Sequence, residues 1–197
     1  MGLGGCSSNS LPANPSPGDP PDAEAPGEAA AACSSAPLLA SCGDGQVLAI
    51  LSAELSARVN LANAVRAGLA SASALDLAEK IITDDSVLQV QVQGEMRETG
   101  IAAAPGGVDR QIAAEAQWTM QALAAESSPA LDAAYVNGEL LAHLRALALM
   151  DRLLGPSAHD PRIADLLARI RPLVAQHAQA ASQAESELEG SCGGPPG

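Results

Sequence analysis

From about residue 44 onward, apolar residues recur at steps of three, four and seven, the spacing of one face of an α-helix. Asp44 can cap a first helix running to about Ala70, with Val47, Ile50, Leu51, Leu61 and Val65 as its stripe. Ser73, three residues before Asp76, is placed to start a second helix. That helix runs to about Thr99, turns Ala78, Ile81, Asp85, Leu88 and Val92 to one face, and stops at Gly100. Pro105, Gly106 and Gly107 break the chain before a shorter helix from Asp109 to Ala125 that carries Ile112, Met120 and Leu123. Ser128 caps the next long helix and Pro129 fits its first turn; the face is Val136, Leu140, His143, Leu147, Met150 and Leu154, closed by Gly155 and Pro156. Asp160 and Pro161 open the last helix, whose stripe runs from Ile163 through Leu166, Leu167, Ile170, Leu173, Val174, His177 and Ala181 to Leu188. Pro172 lies inside it, where it removes a backbone hydrogen bond and is expected to kink the helix.

Each long stripe is interrupted by one ionisable residue: Glu54, Asp85, His143 and His177. Glu54 stands seven residues from both Val47 and Leu61, so it faces inward. Burying such groups is unfavourable by roughly several kcal/mol each unless they pair with one another, a proton or a metal. Counted from the turn between the first two helices, the four residues lie about 11 to 17 residues down their helices, roughly 16 to 26 Å at a rise of 1.5 Å per residue. They are expected to share one slice of a four-helix bundle, whether the connections are up-down or ferritin-like. Two carboxylates and two imidazoles can balance each other's charge with both histidines protonated, or hold one divalent ion with both neutral. Arg58, one helical turn after Glu54, is the rival partner that would remove Glu54 from such a set. No Glu-x-x-His occurs, since Leu140, Pro156 and Val174 precede His143, His159 and His177 by three, which argues against a di-iron carboxylate centre. Trp118 and Tyr135 are expected to be packing groups, and His159 to be exposed in its turn beside Asp160.

Composition agrees with an all-α fold: the chain is rich in Ala and Leu, with one Trp, one Tyr and no Phe. Ten basic against 23 acidic residues leave a net charge of -13, which repels nucleic-acid phosphates and anionic lipid heads. No run of about 18 apolar residues marks a transmembrane helix. Leu3-Gly4-Gly5-Cys6 has the form of a lipobox, making Cys6 the candidate lipidation site and implying a true start upstream of Met1. Residues 1–43 are otherwise Pro, Ala, Ser, Gly and acid, the composition of a disordered tether. The organisation expected is therefore a lipobox and tether over 1–43, a helical body over 44–189 and a flexible tail over 190–197. If Cys6 is acylated, Cys33, Cys42 and Cys192 remain: Cys42 with Cys192, Cys33 with Cys42, and no pairing at all are the alternatives. A Cys42–Cys192 bridge requires an up-down order, in which the ends of the body meet. No phosphate loop, nucleophile elbow or cysteine–histidine dyad is present, so a non-enzymatic protein is expected.

The body resembles a bacterial domain family of unknown function labelled as outer-membrane proteins and assigned to the ferritin-like helical bundles. Glu54, Ile81-Ile82-Thr83-Asp84-Asp85, Leu131-Asp132-Ala133-Ala134-Tyr135 with His143 eight residues beyond, and Leu173 to Ala180 around His177 carry the resemblance. It departs from the family pattern where this chain has Asp84-Asp85 in place of Asp-His. The resemblance implies a ferritin-like four-helix bundle with one short extra helix between the second and third long ones. It implies an outer-membrane lipoprotein facing the periplasm, held to the membrane through Cys6, with a structural or binding role in envelope stress. The alternative function is divalent-metal binding by Glu54, Asp85, His143 and His177.

Overall fold

The computed structural model describes residues 42–192 and the side chains of 42–190. Cys6, Cys33, the tether before Cys42 and residues 193–197 lie outside the described residues. The described chain is all-α, without a strand: α1 Asp44–Val65, α2 Ala72–Thr99, α3 Gly107–Leu123, α4 Ala130–Leu149 and α5 Pro161–Cys192. All the expected helices are present, and the differences lie at their ends. α1 stops at Val65 rather than Ala70 and passes through a 3-10 turn, Arg66–Gly68. Ser71, two residues before the expected Ser73, caps α2, its hydroxyl accepting from the Ala74 amide at 3.2 Å. Gly100 ends α2 in the left-handed region at φ 72, as a glycine terminator should. α4 runs on into a π turn, Met150–Leu154, and a last helical turn, Gly155–Ser157, so Gly155 and Pro156 sit inside its end rather than beyond it. α5 is continuous through Pro172 and extends to Cys192, past the expected boundary at Glu189.

Three side chains expected to work locally instead tie distant segments together. Gly43 takes the cap position of α1 in an extended conformation, and Gln46 accepts its amide at 3.2 Å. Asp44 is thereby freed, and its carboxylate accepts the amides of His159 at 2.7 Å and Asp160 at 3.2 Å, fastening the start of α1 to the start of α5. Asp160 in turn accepts the Arg162 amide at 2.8 Å, capping α5. Ser128 does not cap α4: Pro129 holds that position, and the Ser128 hydroxyl lies 3.2 Å from the Gly68 carbonyl and from Asp132. The Asp132 carboxylate accepts the amides of Ala70 at 3.0 Å and Ser71 at 2.7 Å, pinning the α1–α2 turn onto α4.

Burial alone would raise the Asp132 carboxyl, but the bonds from Ala70, Ser71 and Ser128 outweigh it and hold it below the usual range. Its contribution is therefore present above the unfolded-state pKa and is lost as pH falls through the lower folded value. Asp132→Ala is expected to lower stability by about 2–3 kcal/mol at pH 7, since it removes two amide bonds to a charged acceptor. The deficit should shrink toward pH 3 in urea titrations; a deficit independent of pH would mean that the charge is not what holds the turn.

α1 packs against α2 and α3, α4 against α5, and α2 against α5, while α3 barely touches α4. The α1–α2 turn lies beside the start of α4, and the α4–α5 turn lies beside Cys42, whose amide donates to the Ser157 hydroxyl at 3.0 Å. The two hairpins thus close at opposite ends, and α3 carries the chain back along the body. Cys42 is buried and disulfide-bonded. It shares its cluster with Leu167, whereas Cys192 follows about 25 residues of helix later, roughly 38 Å away along α5. A Cys42–Cys192 bridge is thereby excluded, because bridged Cα atoms lie within about 7 Å. Trp118, expected to pack, is 78% exposed: α3 has only α1 to lean on and turns its outer face to solvent. Tyr135 is fully buried and His159 exposed, as expected.

The apolar core falls into two clusters. One gathers Val47 to Leu55, Leu88, Val92, Ala146 to Leu154 and Ile163 to Val174; the other gathers Leu61 to Leu69, Ala74 to Ile81, Leu131 to Val136 and Ala181 to Ala184. On all four long helices the break between clusters falls at one level, and there the charged residues sit.

Candidate functional site

Between the clusters lies a polar layer of Glu54 and Arg58 from α1, Asp85 from α2, Glu139 and His143 from α4, and His177 from α5, each 4% exposed or less. All four residues expected from the stripes are in it. They do not converge as one quartet. One nitrogen from each of His143 and His177 and one oxygen of Asp85 lie within 4.8 Å of one another. Glu54 is drawn away by Arg58, whose guanidinium lies 3.1 Å from Glu54 Oε2 and 3.4 Å from Asp85 Oδ2. The rival partner recognised in the sequence is therefore real, and it also reaches Asp85.

Each imidazole has one N–H committed. His143 Nδ1 lies 2.7 Å from the Glu139 carbonyl one helical turn earlier, an acceptor only, so Nδ1–H donates and Nε2 carries the lone pair. His177 Nε2 lies 3.0 Å from Asp84 Oδ2 and donates to it, which in the neutral ring leaves Nδ1 bare, 3.6 Å from Asp85 Oδ1. The two rings meet edge to face with centroids 5.2 Å apart. His143 Nε2, His177 Nδ1 and both Asp85 oxygens are buried without a hydrogen-bond partner. Two bare imidazole nitrogens and a carboxylate, aimed at one another with no donor between them, are a set of acceptors in want of a cation or a proton.

The electrostatics reinforce this. Burial, with the Arg58 charge adding to it, pushes His143 down to about 2, so its ring is neutral at any physiological pH. Burial raises the Asp85 carboxyl, and the attractions of Arg58 and His177 only partly oppose it. At Asp84, nearer the surface, burial is outweighed by the bonds from His177 and Lys80, which hold the carboxyl low and charged. Glu139 is pushed up to about 8 by burial, against the pull of Arg58 and with the help of Asp85 and Glu54, so it is protonated at neutral pH. The Tyr135 hydroxyl is raised by burial and has no hydrogen-bond partner.

The residues fit a transition ion. Tetrahedral zinc with bonds of about 2.0–2.2 Å sets its ligand atoms roughly 3.3–3.6 Å apart, which the Asp85–His177 separation already meets. Each ligand also has an outer partner that fixes it: Arg58 for Asp85, the Glu139 carbonyl for His143, the Asp84 carboxylate for His177. Sequence reasoning missed two of these supports. Glu139 stands three residues after Val136 and four before His143, on the same stripe, and that periodicity was the available signal. Asp84 lies beside its stripe, where only the angle between α2 and α5 brings it onto His177, and no spacing along the chain encodes that.

An all-α body with a buried imidazole–imidazole–carboxylate layer is the class of protein these observations define. The chain belongs to the family DUF4142, described as a domain of unknown function, which matches it over residues 28–184. No curated protein and no solved structure matches it. Among the described residues, no helix is long and apolar enough to cross a membrane.

Proposed function

We propose that this protein is an envelope-tethered, ferritin-like four-helix bundle, with α3 as its crossover, that binds one divalent transition-metal ion through Asp85, His143 and His177. The observation that carries the reading is the paired commitment of the two imidazoles: each spends one N–H on a fixed acceptor and turns its bare nitrogen toward Asp85. Two imidazoles with one carboxylate suit zinc, copper(II) or iron(II). The tether and Cys6 would hold the bundle at the outer membrane on its periplasmic side, and the role is binding rather than catalysis. A second reading is favoured by Arg58, which already neutralises Glu54 and Asp85: the layer then serves only to fix helix register.

Calorimetric titration of the full chain with zinc, copper(II) and iron(II) separates the two. Metal binding predicts one saturable equivalent, lost in the His143→Ala/His177→Ala double variant. A helix-register role predicts no saturable uptake by the parent. Asp84→Asn is the gentler probe, because it weakens the support of His177 without touching a ligand. It should lower affinity about 10- to 100-fold while the circular dichroism spectrum is unchanged.

A further inference from the structure

Among the described residues, a cavity of about 260 Å³ opens between α1, α3 and α4. Glu54, Arg58 and Glu139, members of the polar layer, form its inner wall; Glu115 and Arg145, both about half-exposed, form its rim. The space exists because α3 leans on α1 and leaves a gap beside α4. Glu54 Oε1, Arg58 Nη1 and both Glu139 oxygens are buried there without hydrogen-bond partners, a lining that suits water or a hydrated ion better than an apolar ligand.

Two features show how such a space is held. Gly138 lines the cavity in the middle of α4, where glycine costs about 1 kcal/mol of helix stability relative to alanine. Its φ is not positive, and a Cβ added there meets nothing within 4 Å, so neither backbone conformation nor close packing requires a glycine. What the missing side chain does is leave the cavity open. Arg145 reaches across the rim, pairing with Glu115 on α3 and lying 3.7 Å from Glu54 Oε1 on α1. Behind the inner wall, the Arg58 guanidinium alone separates the cavity from Asp85.

We propose that this cavity is the route by which a divalent ion travels from solvent to Asp85, His143 and His177, kept open by Gly138 and closed at its mouth by the Arg145 bridge. The proposal rests on the metal-binding reading above. The excess of acidic charge on the chain draws cations toward the surface, and Glu115 and Glu54 offer successive carboxylates on the way in. The rival route is the opposite face, where Lys80 and Asp84, 40% and 26% exposed and 2.9 Å apart, cover His177 between α2 and α5.

Stopped-flow uptake of Co²⁺, followed by its visible absorption, and release to a chelator test the proposal in the parent, Gly138→Leu, Arg145→Ala and Lys80→Ala. Gly138→Leu should slow both uptake and release about tenfold and Arg145→Ala should speed both, with equilibrium affinity unchanged in each and Lys80→Ala like the parent. If Gly138→Leu and Arg145→Ala exchange at the parental rate, or if Lys80→Ala alone changes it, the route is wrong although the site stands. A parent that takes up no Co²⁺ at equilibrium overturns site and route together, and the titration shows this before any rate is measured.

Discussion

Arg58→Ala is expected to destabilise the metal-free protein by about 3–5 kcal/mol at neutral pH, the cost of stripping its partner from a buried charge. Arg58 is 3% exposed and is the only cationic side chain fully inside the layer, with Glu54 and Asp85 both leaning on it. Without it, both carboxylates must either stay charged in a low-dielectric interior or take up protons. The deficit should therefore shrink as pH falls toward 4, because protonation removes the orphaned charges. Replacing all three at once, Arg58→Met with Glu54→Gln and Asp85→Asn, should restore most of the loss, since a neutral layer has no ion to strand. Urea midpoints of the single and triple variants, read at pH 4.5 and 7, make the comparison. A single variant as stable as the parent at pH 7 would show that the guanidinium is not holding the layer together.

That network marks how far the sequence could be read. Period alone placed Glu54, Asp85, His143 and His177 inside, because a residue seven positions from two buried neighbours has no other face to occupy. Counting residues from the first turn placed them in one slice, and the gap between the two apolar clusters falls there. What period cannot give is azimuth within the slice. Glu54 and Asp85 lie at similar depth, yet Arg58 stands between Glu54 and the histidines, so a quartet on paper is a triad plus an ion pair in space. The helix ends were misjudged for a related reason. Asp44 and Ser128 have the chemistry of local caps, but each had a more distant partner, the amides of His159 and Asp160 for one and Gly68 with Asp132 for the other. Local propensity ranks caps correctly only where no tertiary acceptor or donor competes. Trp118 failed similarly: the chain signals that α3 is amphipathic, not that a single neighbour covers it.

Glu139→Gln should flatten the alkaline side of the stability profile. The Glu139 carboxyl is pushed up to about 8 from an ordinary 4.5, chiefly by burial, so the native state keeps a proton that the unfolded chain releases. That contribution is fully present below about 4.5 and is lost progressively as pH rises to 8, at roughly 1.4 kcal/mol per pH unit for one such group. His143 acts in the opposite sense. Its ring is held down to about 2 from 6.5, so the unfolded chain takes up a proton that the native ring refuses, and stability is lost as pH falls below 6.5. Between 4.5 and 6.5 the two slopes oppose each other; above 6.5 Glu139 acts alone of the pair. In chelator-treated protein, the parent should lose on the order of 2–4 kcal/mol between pH 5 and pH 8 more than Glu139→Gln does, while the two are similar at pH 5. The comparison cancels the general repulsion among the acidic residues, which both proteins share. Parallel slopes in parent and variant would place the proton elsewhere. A variant weaker than the parent at pH 8 would mean that the charged carboxylate, not the neutral acid, is the form the layer was built around.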